Sequence, residues 1–218
     1  MIAVVTGATG LIGKELVEIL LQDDNYKKVI SAVRRPTGLT HSKYQEVEVD
    51  FEKLADYQKK LKGDHYFCCL GTTIKVAKTK ENFRKVDYVY PYEFAKIALA
   101  HKAKSYSIVT AIGANAKSMV FYSRTKGEVE EAINGLGLPA LNIYRPSFLK
   151  GTRPEDRPGE KLGLAVFDGI SFLMQGPLKQ YRVIEGRVVA QVMATEALGF
   201  SGTNYINSDR IQKIYDSY

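Results

Sequence analysis

The sequence predicts an α/β fold: a doubly wound parallel sheet with helices on both faces and a short C-terminal region beyond it. Three observations carry this. Apolar, β-branched runs alternate with helix-periodic stretches from residue 2 to residue 145. The runs IAVV, VISAV and FCCL are continuously apolar, as strands covered on both faces are. Gly7, Gly10 and Gly13 punctuate the passage from the first run into the first helix.

Taken in order, residues 2–6 form the first strand, a helix follows near 11–22, and 28–33 is the second strand. A third strand at 44–49 precedes a helical stretch near 52–62, and a fourth runs over 65–71. A long helix at 81–102 leads to a strand at 105–111, and a helix at 120–135 leads to a strand at 140–145. GTRPEDRPGE, residues 151–160, reads as the one structureless connection. The whole chain, 1–218, is then one domain, with the sheet in 1–150 and a C-terminal substrate or lid region in 151–218.

Composition narrows the function classes. The chain is 45% apolar and 25% charged, the make-up of an ordinary globular domain. No apolar run reaches the roughly 18 residues a membrane span needs, and MIAVV is already strand-like, so neither a membrane anchor nor a targeting arm is expected. Cys68 and Cys69 are adjacent and point to opposite faces of a strand, which excludes a disulfide framework. They read as small hydrophobes, and a reducing cytoplasm is the expected location. The net charge of +7 is densest at Lys75, Lys78, Lys80, Arg84 and Lys85, without zinc-finger or RNA-binding motifs. That run reads as a solvated loop or an attractor for an anionic cofactor, and nucleic acid is not expected. His41, His65 and His101 are scattered without metal-ligand spacing, so no metal site is expected.

The glycine turn holds a dinucleotide. A phosphate loop of the GxxxxGK[ST] type fails, because Ala8 stands where its first glycine belongs and Glu15 where its hydroxyl belongs. A turn that follows the first strand and opens the first helix instead aims free N–H groups and a positive dipole end at a pyrophosphate. After the second strand stand Arg34 and Arg35, where a carboxylate would serve the ribose hydroxyl of NAD. Two guanidiniums favour the 2′-phosphate of NADP, with NADPH preferred over NADH. The expected fold is accordingly Rossmann-like.

Tyr122 and Lys126 lie four apart in the helix 120–135, hence on one face. A phenol needs help to exchange protons near neutrality, and a neighbouring ammonium stabilises its anion while also reaching a nicotinamide ribose.

Together the turn TGATGLIG and the pair YSRTK resemble the short-chain dehydrogenase/reductase superfamily in its atypical form. VDFEKLADY, FCCLGTT, FRKVD, FYSRTKGEVE, YRPSFLKG and RPEDRPGE narrow the resemblance to the Tat-interacting-protein-like branch, from Ile2 to about Ala197. The resemblance implies that Gly7, Thr9, Gly10, Leu11, Ile12 and Gly13 line the pyrophosphate and that Arg34 and Arg35 meet the 2′-phosphate. It puts Asp50 and Phe51 by the adenine, and Leu70, Gly71 and Thr72 along the cofactor. Arg145, Pro146, Ser147 and Phe148 pass the nicotinamide, Tyr122 is the acid/base, and Lys126 is its partner. It also implies a homodimer through the helices at 81–102 and 120–135. One departure stands out: where the superfamily often has a Ser-Ser pair after the fifth strand, this chain has Thr110-Ala111. Thr110 is the candidate for orienting a carbonyl, but if the second position carries that role the hydroxyl is missing. Asp87, inside FRKVD, reads as structural, and the charges of RPEDRPGE brace a loop or stay solvated.

The expected function is an NADPH-dependent oxidoreductase acting on a small carbonyl compound of unknown identity. The alternative is an NADPH-binding redox sensor or scaffold without turnover, which the Ala111 departure favours.

Overall fold

The computed structural model describes residues 1–150 and 176–218. Its core is a parallel sheet built from β1 (Ile2–Thr6), β2 (Lys28–Val33), β3 (Tyr44–Glu48), β4 (His65–Cys68), β5 (Ser105–Val109), β6 (Ala140–Arg145) and β9 (Gly202–Asn207), in the order β3-β2-β1-β4-β5-β6-β9. A two-residue strand pair, β7 (Leu149–Lys150) with β8 (Ile184–Glu185), lies outside it. The first helix, α1 (Leu11–Gln22), buries Leu16, Val17 and Leu20 on one face of the sheet. On the same face pack α6 (Gly186–Glu196), through Val189, Val192 and Met193, and α7 (Ser208–Tyr215), through Ile211. The opposite face is covered by α4 (Tyr90–Ala100), α5 (Phe121–Asn134) and a 3-10 stretch at Phe51–Lys60. With side chains alternating in direction, Val4 and Val5 of β1 serve the two cores separately. This is the doubly wound Rossmann-like α/β fold the sequence predicted.

The chain order reverses between β1 and β4, whose neighbours run outward in opposite directions. The crevice at the carboxyl ends of these two strands is where open α/β sheets bind ligands. Both strands end there, at Thr6 and Cys68.

Three expectations are corrected. The fourth and fifth strands stop at Cys68 and Val109, so Gly71 and Thr110 lie past the sheet, at the crevice. The single helix expected over 81–102 is three pieces: α3 (Lys80–Arg84), a π turn at Lys85–Val89, and α4. Pro91 has no N–H to give to the carbonyl four residues back, and the chain answers with the wider register, Tyr90 N–H bonding the Lys85 carbonyl. A short helix, α2 (Ile74–Ala77), precedes α3, and the hydroxyls of Thr73 and Thr79 cap the two starts by accepting from Val76 N and Asn82 N. Finally, the last third of the chain does not stand wholly beyond the sheet. β9 pairs with β6 over Ala140–Arg145, and α6 lies along α1, where a side chain on Gly186 would press into Leu11. The expected connection at 151–160 falls outside the described residues.

Candidate active site

Each glycine of the turn has its own reason. Gly7 takes φ +75°, and a Cβ there would collide with the Cys69 carbonyl at the end of β4. Gly10 N–H closes the turn on the Gly7 carbonyl at 3.0 Å. A Cβ on Gly13 would collide with that same carbonyl, so only glycine lets α1 sit down on the turn. Gly10 caps α1 with extended backbone, and neither a side-chain cap nor an acidic residue occupies the first turn. The helix therefore presents open N–H donors and an unopposed positive end to the crevice. Thr9 and Gly10 are exposed there and Leu11 is half-buried, whereas Ile12 is a core side chain that can offer only its backbone.

Beyond the second strand Arg34 and Arg35 are exposed, and among the described residues neither forms an ion pair. Asp50 is exposed and accepts Glu52 N–H at 2.9 Å, starting the 3-10 stretch. Phe51 is buried against the Tyr90 ring, with centroids 5.4 Å apart. The Tyr90 hydroxyl donates to Glu52 at 2.6 Å and Lys85 lies 3.1 Å from the same carboxylate. Burial, then the Glu52 hydrogen bond, push the Tyr90 phenol up to about 12.

At the reacting end, α5 carries Tyr122 and Lys126 on one face. Lys126 is 4% exposed and its Nζ lies 2.7 Å from Asp87 Oδ1; Asp87 is 1% exposed. The other Asp87 oxygen accepts Thr72 N–H at 2.9 Å, so the loop after β4, the π turn and α5 meet at one carboxylate. A Cβ on Gly71 would stand 3.8 Å from the Lys126 ammonium, which places Gly71 and Thr72 at the same spot. Burial pulls the Lys126 ammonium down, but Asp87 and then Tyr122 outweigh it and hold it above the ordinary lysine value. Tyr122 is 37% exposed and its ring packs at a tilt on Phe83, centroids 5.7 Å apart. Gly127 permits this arrangement, since a Cβ there would collide with the backbone of Asn115 and Ala116. Asp87, which reads as structural in the sequence, is the buried counterion of Lys126, a partner 39 positions away.

Thr110 is buried, and its hydroxyl donates to Glu130 Oε1 at 2.5 Å. Glu130, also buried, is held by Arg145, Nε at 3.0 Å and Nη2 on the second oxygen. The Arg145 guanidinium lies over the Tyr205 ring at 4.6 Å. Arg145 thus bridges α5 and β9, and the Thr110 proton is committed to Glu130. Glu130 was missed, although Tyr122, Lys126 and Glu130 recur every four residues along one helix stripe. Pro146 is buried with its carbonyl accepting Ile112 N–H at 3.0 Å; the Ser147 hydroxyl donates to the Arg182 carbonyl and meets Ser208 Oγ at 3.1 Å; Phe148 is exposed. Burial raises both cysteine thiols, Cys68 and Cys69, above their ordinary range, which leaves them protonated and inert. The charges of RPEDRPGE lie outside the described residues.

The chain is 35% identical over 170 residues to protein HTATIP2 of Rattus norvegicus, covering 76% of this chain and 70% of that one. It is 36% identical over 156 residues to protein FMP52-1, mitochondrial, of Scheffersomyces stipitis, covering 70% and 69%. The chain belongs to the HTATIP2/FMP52 family. The family model described as Male sterility protein, an NAD-binding model, matches residues 5–68, from β1 through β4. Among solved structures, the Bordetella bronchiseptica enzyme WbmH in complex with NAD+ superposes with TM-score 0.70 at 17% identity, over 99% of this chain and 79% of that one. A UDP-glucose 4-epimerase from Thermotoga maritima with UDP-glucose gives TM-score 0.71 at 16% identity, over 99% and 81%. This is an atypical short-chain dehydrogenase/reductase with an NAD(P)-binding Rossmann fold. The crevice fits such a cofactor: Gly7 and Gly13 let the turn close tightly on the ends of β1 and β4, and the α1 N-terminus is left open to phosphate.

The cytoplasmic expectation is corrected by the same comparison. Relatives at 34–36% identity from Scheffersomyces stipitis and Debaryomyces hansenii are named mitochondrial. Two adjacent cysteines that point to opposite faces of a strand cannot pair in any compartment, so they give no address. Among the described residues no helix is long and apolar enough to cross a membrane.

Proposed function

We propose that this family member is an NADPH-dependent oxidoreductase that reduces a carbonyl group, with Tyr122 as the proton donor. The observation that carries the reading is the buried Asp87–Lys126 pair on the stripe of Tyr122, beside the Gly71–Thr72 edge of the crevice. NADPH, when bound, supplies the hydride. Tyr122 gives its phenolic proton to the oxygen that gains charge. Lys126, kept cationic by Asp87, stabilises the phenolate and reaches the ribose. Lowering a phenol's pKa by about three units takes about 4 kcal/mol. Part of that falls to the bound cofactor, because Asp87 already offsets the Lys126 charge. Arg34 and Arg35, exposed and without ion-pair partners among the described residues, support recognition of a 2′-phosphate over a ribose hydroxyl. Asp50 and Phe51 border the adenine, Leu70 to Thr72 follow the cofactor's length, and Ser147 and Phe148 lie on the substrate side.

A second reading, a cofactor-bound sensor that does not turn over, is favoured by one observation. The Thr110 proton is committed to Glu130 and Ala111 has no hydroxyl, so neither residue of the pair after β5 offers a hydroxyl proton to a carbonyl.

Calorimetric titration tests both. Micromolar NADPH binding, at least tenfold tighter than NADH and lost in Arg34→Ala/Arg35→Ala, is expected. Carbonyl-dependent NADPH oxidation that disappears in Tyr122→Phe then supports the enzyme; tight binding with no turnover over a broad carbonyl panel supports the sensor. No binding of either nucleotide overturns both.

A further inference from the structure

The basic run singled out in the sequence is left unused by the cofactor and by Tyr122, and its placement assigns it a task. Phe83 of α3 is buried against the rings of Phe121 and Tyr122, 5.6 and 5.7 Å away, so α3, with α2 packed against it, forms a wall beside the Tyr122 ring. Lys75, Lys78 and Lys80 are exposed on that wall and form no ion pair among the described residues. The Lys80 ammonium hangs over the Phe121 ring at 5.5 Å.

The neighbouring carboxylates are already engaged. Glu81 is within 4.0 Å of Lys85, Glu128 pairs with Arg84 and Arg124, and Asp87 pairs with Lys126. Lys117, exposed before α5, is likewise unpaired among the described residues. The surface around Tyr122 and the wall, the Tyr122 mouth, therefore carries positive charge without a counterion among the described residues, and desolvation by a ligand would strengthen its pull.

Apolar side chains stand among these cations. Ile74 and Val76 are exposed on α2, and Met119 (94% exposed) and Val120 (61%) lead directly into Phe121 and Tyr122. Single exposed hydrophobics are ordinary, but four in the two segments that lead into the Phe83–Phe121–Tyr122 contact, interleaved with lysines that form no ion pair among the described residues, are not. Lys78 adds a strained backbone: it holds φ +67° without being glycine, fixed by its N–H to the Ile74 carbonyl at 2.9 Å. Lysines alone would suit any anion; the apolar residues between them require a hydrocarbon part.

We propose that the Tyr122 mouth takes an anionic amphiphile, a carbonyl compound whose apolar chain packs on Ile74, Val76, Met119 and Val120 and whose carboxylate or phosphate meets Lys75, Lys78 and Lys80. This rests on the oxidoreductase reading for the carbonyl, and on the mouth itself for the rest.

The test uses non-reducible probes below their micelle concentrations, titrated onto the full chain with and without NADPH: decanoate, decyl phosphate, decanol and decyltrimethylammonium. Decanoate or decyl phosphate is expected to bind at least tenfold more tightly than decyltrimethylammonium and decanol, and the stronger of the two names the head group. Lys75→Gln/Lys78→Gln/Lys80→Gln, exposed positions whose change leaves the thermal midpoint in place, is expected to remove that preference while NADPH affinity stays within twofold. Equal binding of anion and cation, or an anion preference that survives the triple variant, overturns the proposal. So does binding seen only with phosphatidylglycerol vesicles, which would make the patch a lipid-surface contact. A parallel loss of NADPH affinity would assign the lysines to cofactor attraction instead. If NADPH does not bind but decanoate does, with the same lysine dependence, the oxidoreductase reading falls and the anion site stands.

Discussion

Replacing Asp87 by alanine isolates a buried ammonium. Lys126 is 4% exposed and Asp87 1%, with 2.7 Å between the charges, so neither has water to fall back on. Breaking such a pair from one side costs about 3–5 kcal/mol, because the survivor keeps its desolvation penalty and loses its partner. In a domain of this size about 1 kcal/mol moves the thermal midpoint by roughly 2–4 °C, so a fall of roughly 6–20 °C is expected. The pH dependence gives a second readout with its own sign. In the native protein Lys126 titrates above its ordinary 10.5, so its contribution is intact below 10.5 and is lost as pH rises through the folded value. In Asp87→Ala burial acts unopposed by Asp87 and depresses the folded value. The unfolded chain then binds the extra proton, and stability rises as pH climbs toward the ordinary lysine value. Urea unfolding followed by circular dichroism at about pH 7 and about pH 9.5 measures both terms. A deficit under about 1 kcal/mol at neutrality, or one that does not narrow in alkali, would refute the account of Lys126 as a cation held by Asp87.

Two further outcomes follow from the packing. His65 is buried with Nδ1 2.9 Å from the Tyr26 hydroxyl, and burial lowers its pKa to about 4. Its neutral form is the folded one, so stability is full above pH 6.5 and falls as the unfolded histidine takes a proton, by about 2 kcal/mol near pH 5; His65→Asn should flatten that part of a urea-midpoint profile, and an unchanged slope would be evidence against it. Gly127→Ala should cost about 1–3 kcal/mol by forcing Asn115 and Ala116 off α5, and it should lower turnover in the carbonyl assay more than it lowers NADPH affinity, since the displaced loop borders Tyr122 and not the glycine turn.

What could be read from the chain alone was what depends on near neighbours. Strand runs covered on both faces have to be continuously apolar, so β1, β2 and β4 were visible as IAVV, VISAV and FCCL. The glycine turn was visible because a positive φ and two close backbone approaches leave one residue type at Gly7 and Gly13. Tyr122 and Lys126 were visible because four residues make one helical turn. The tertiary structure decided what depends on distant partners. Asp87 becomes the Lys126 counterion only after the β4–α4 and β5–α5 crossovers bring the π turn beside α5, and the π turn itself exists because Pro91 withholds a hydrogen bond that periodicity does not register. Thr110, Glu130 and Arg145 come from β5, α5 and β6, and no spacing in the sequence says that the threonine's proton points at a carboxylate. GTNYIN, mostly polar and exposed at the sheet's edge, gives no apolar signal, yet as β9 it completes the sheet, because an edge strand is recruited by backbone hydrogen bonds to β6 that every residue can make.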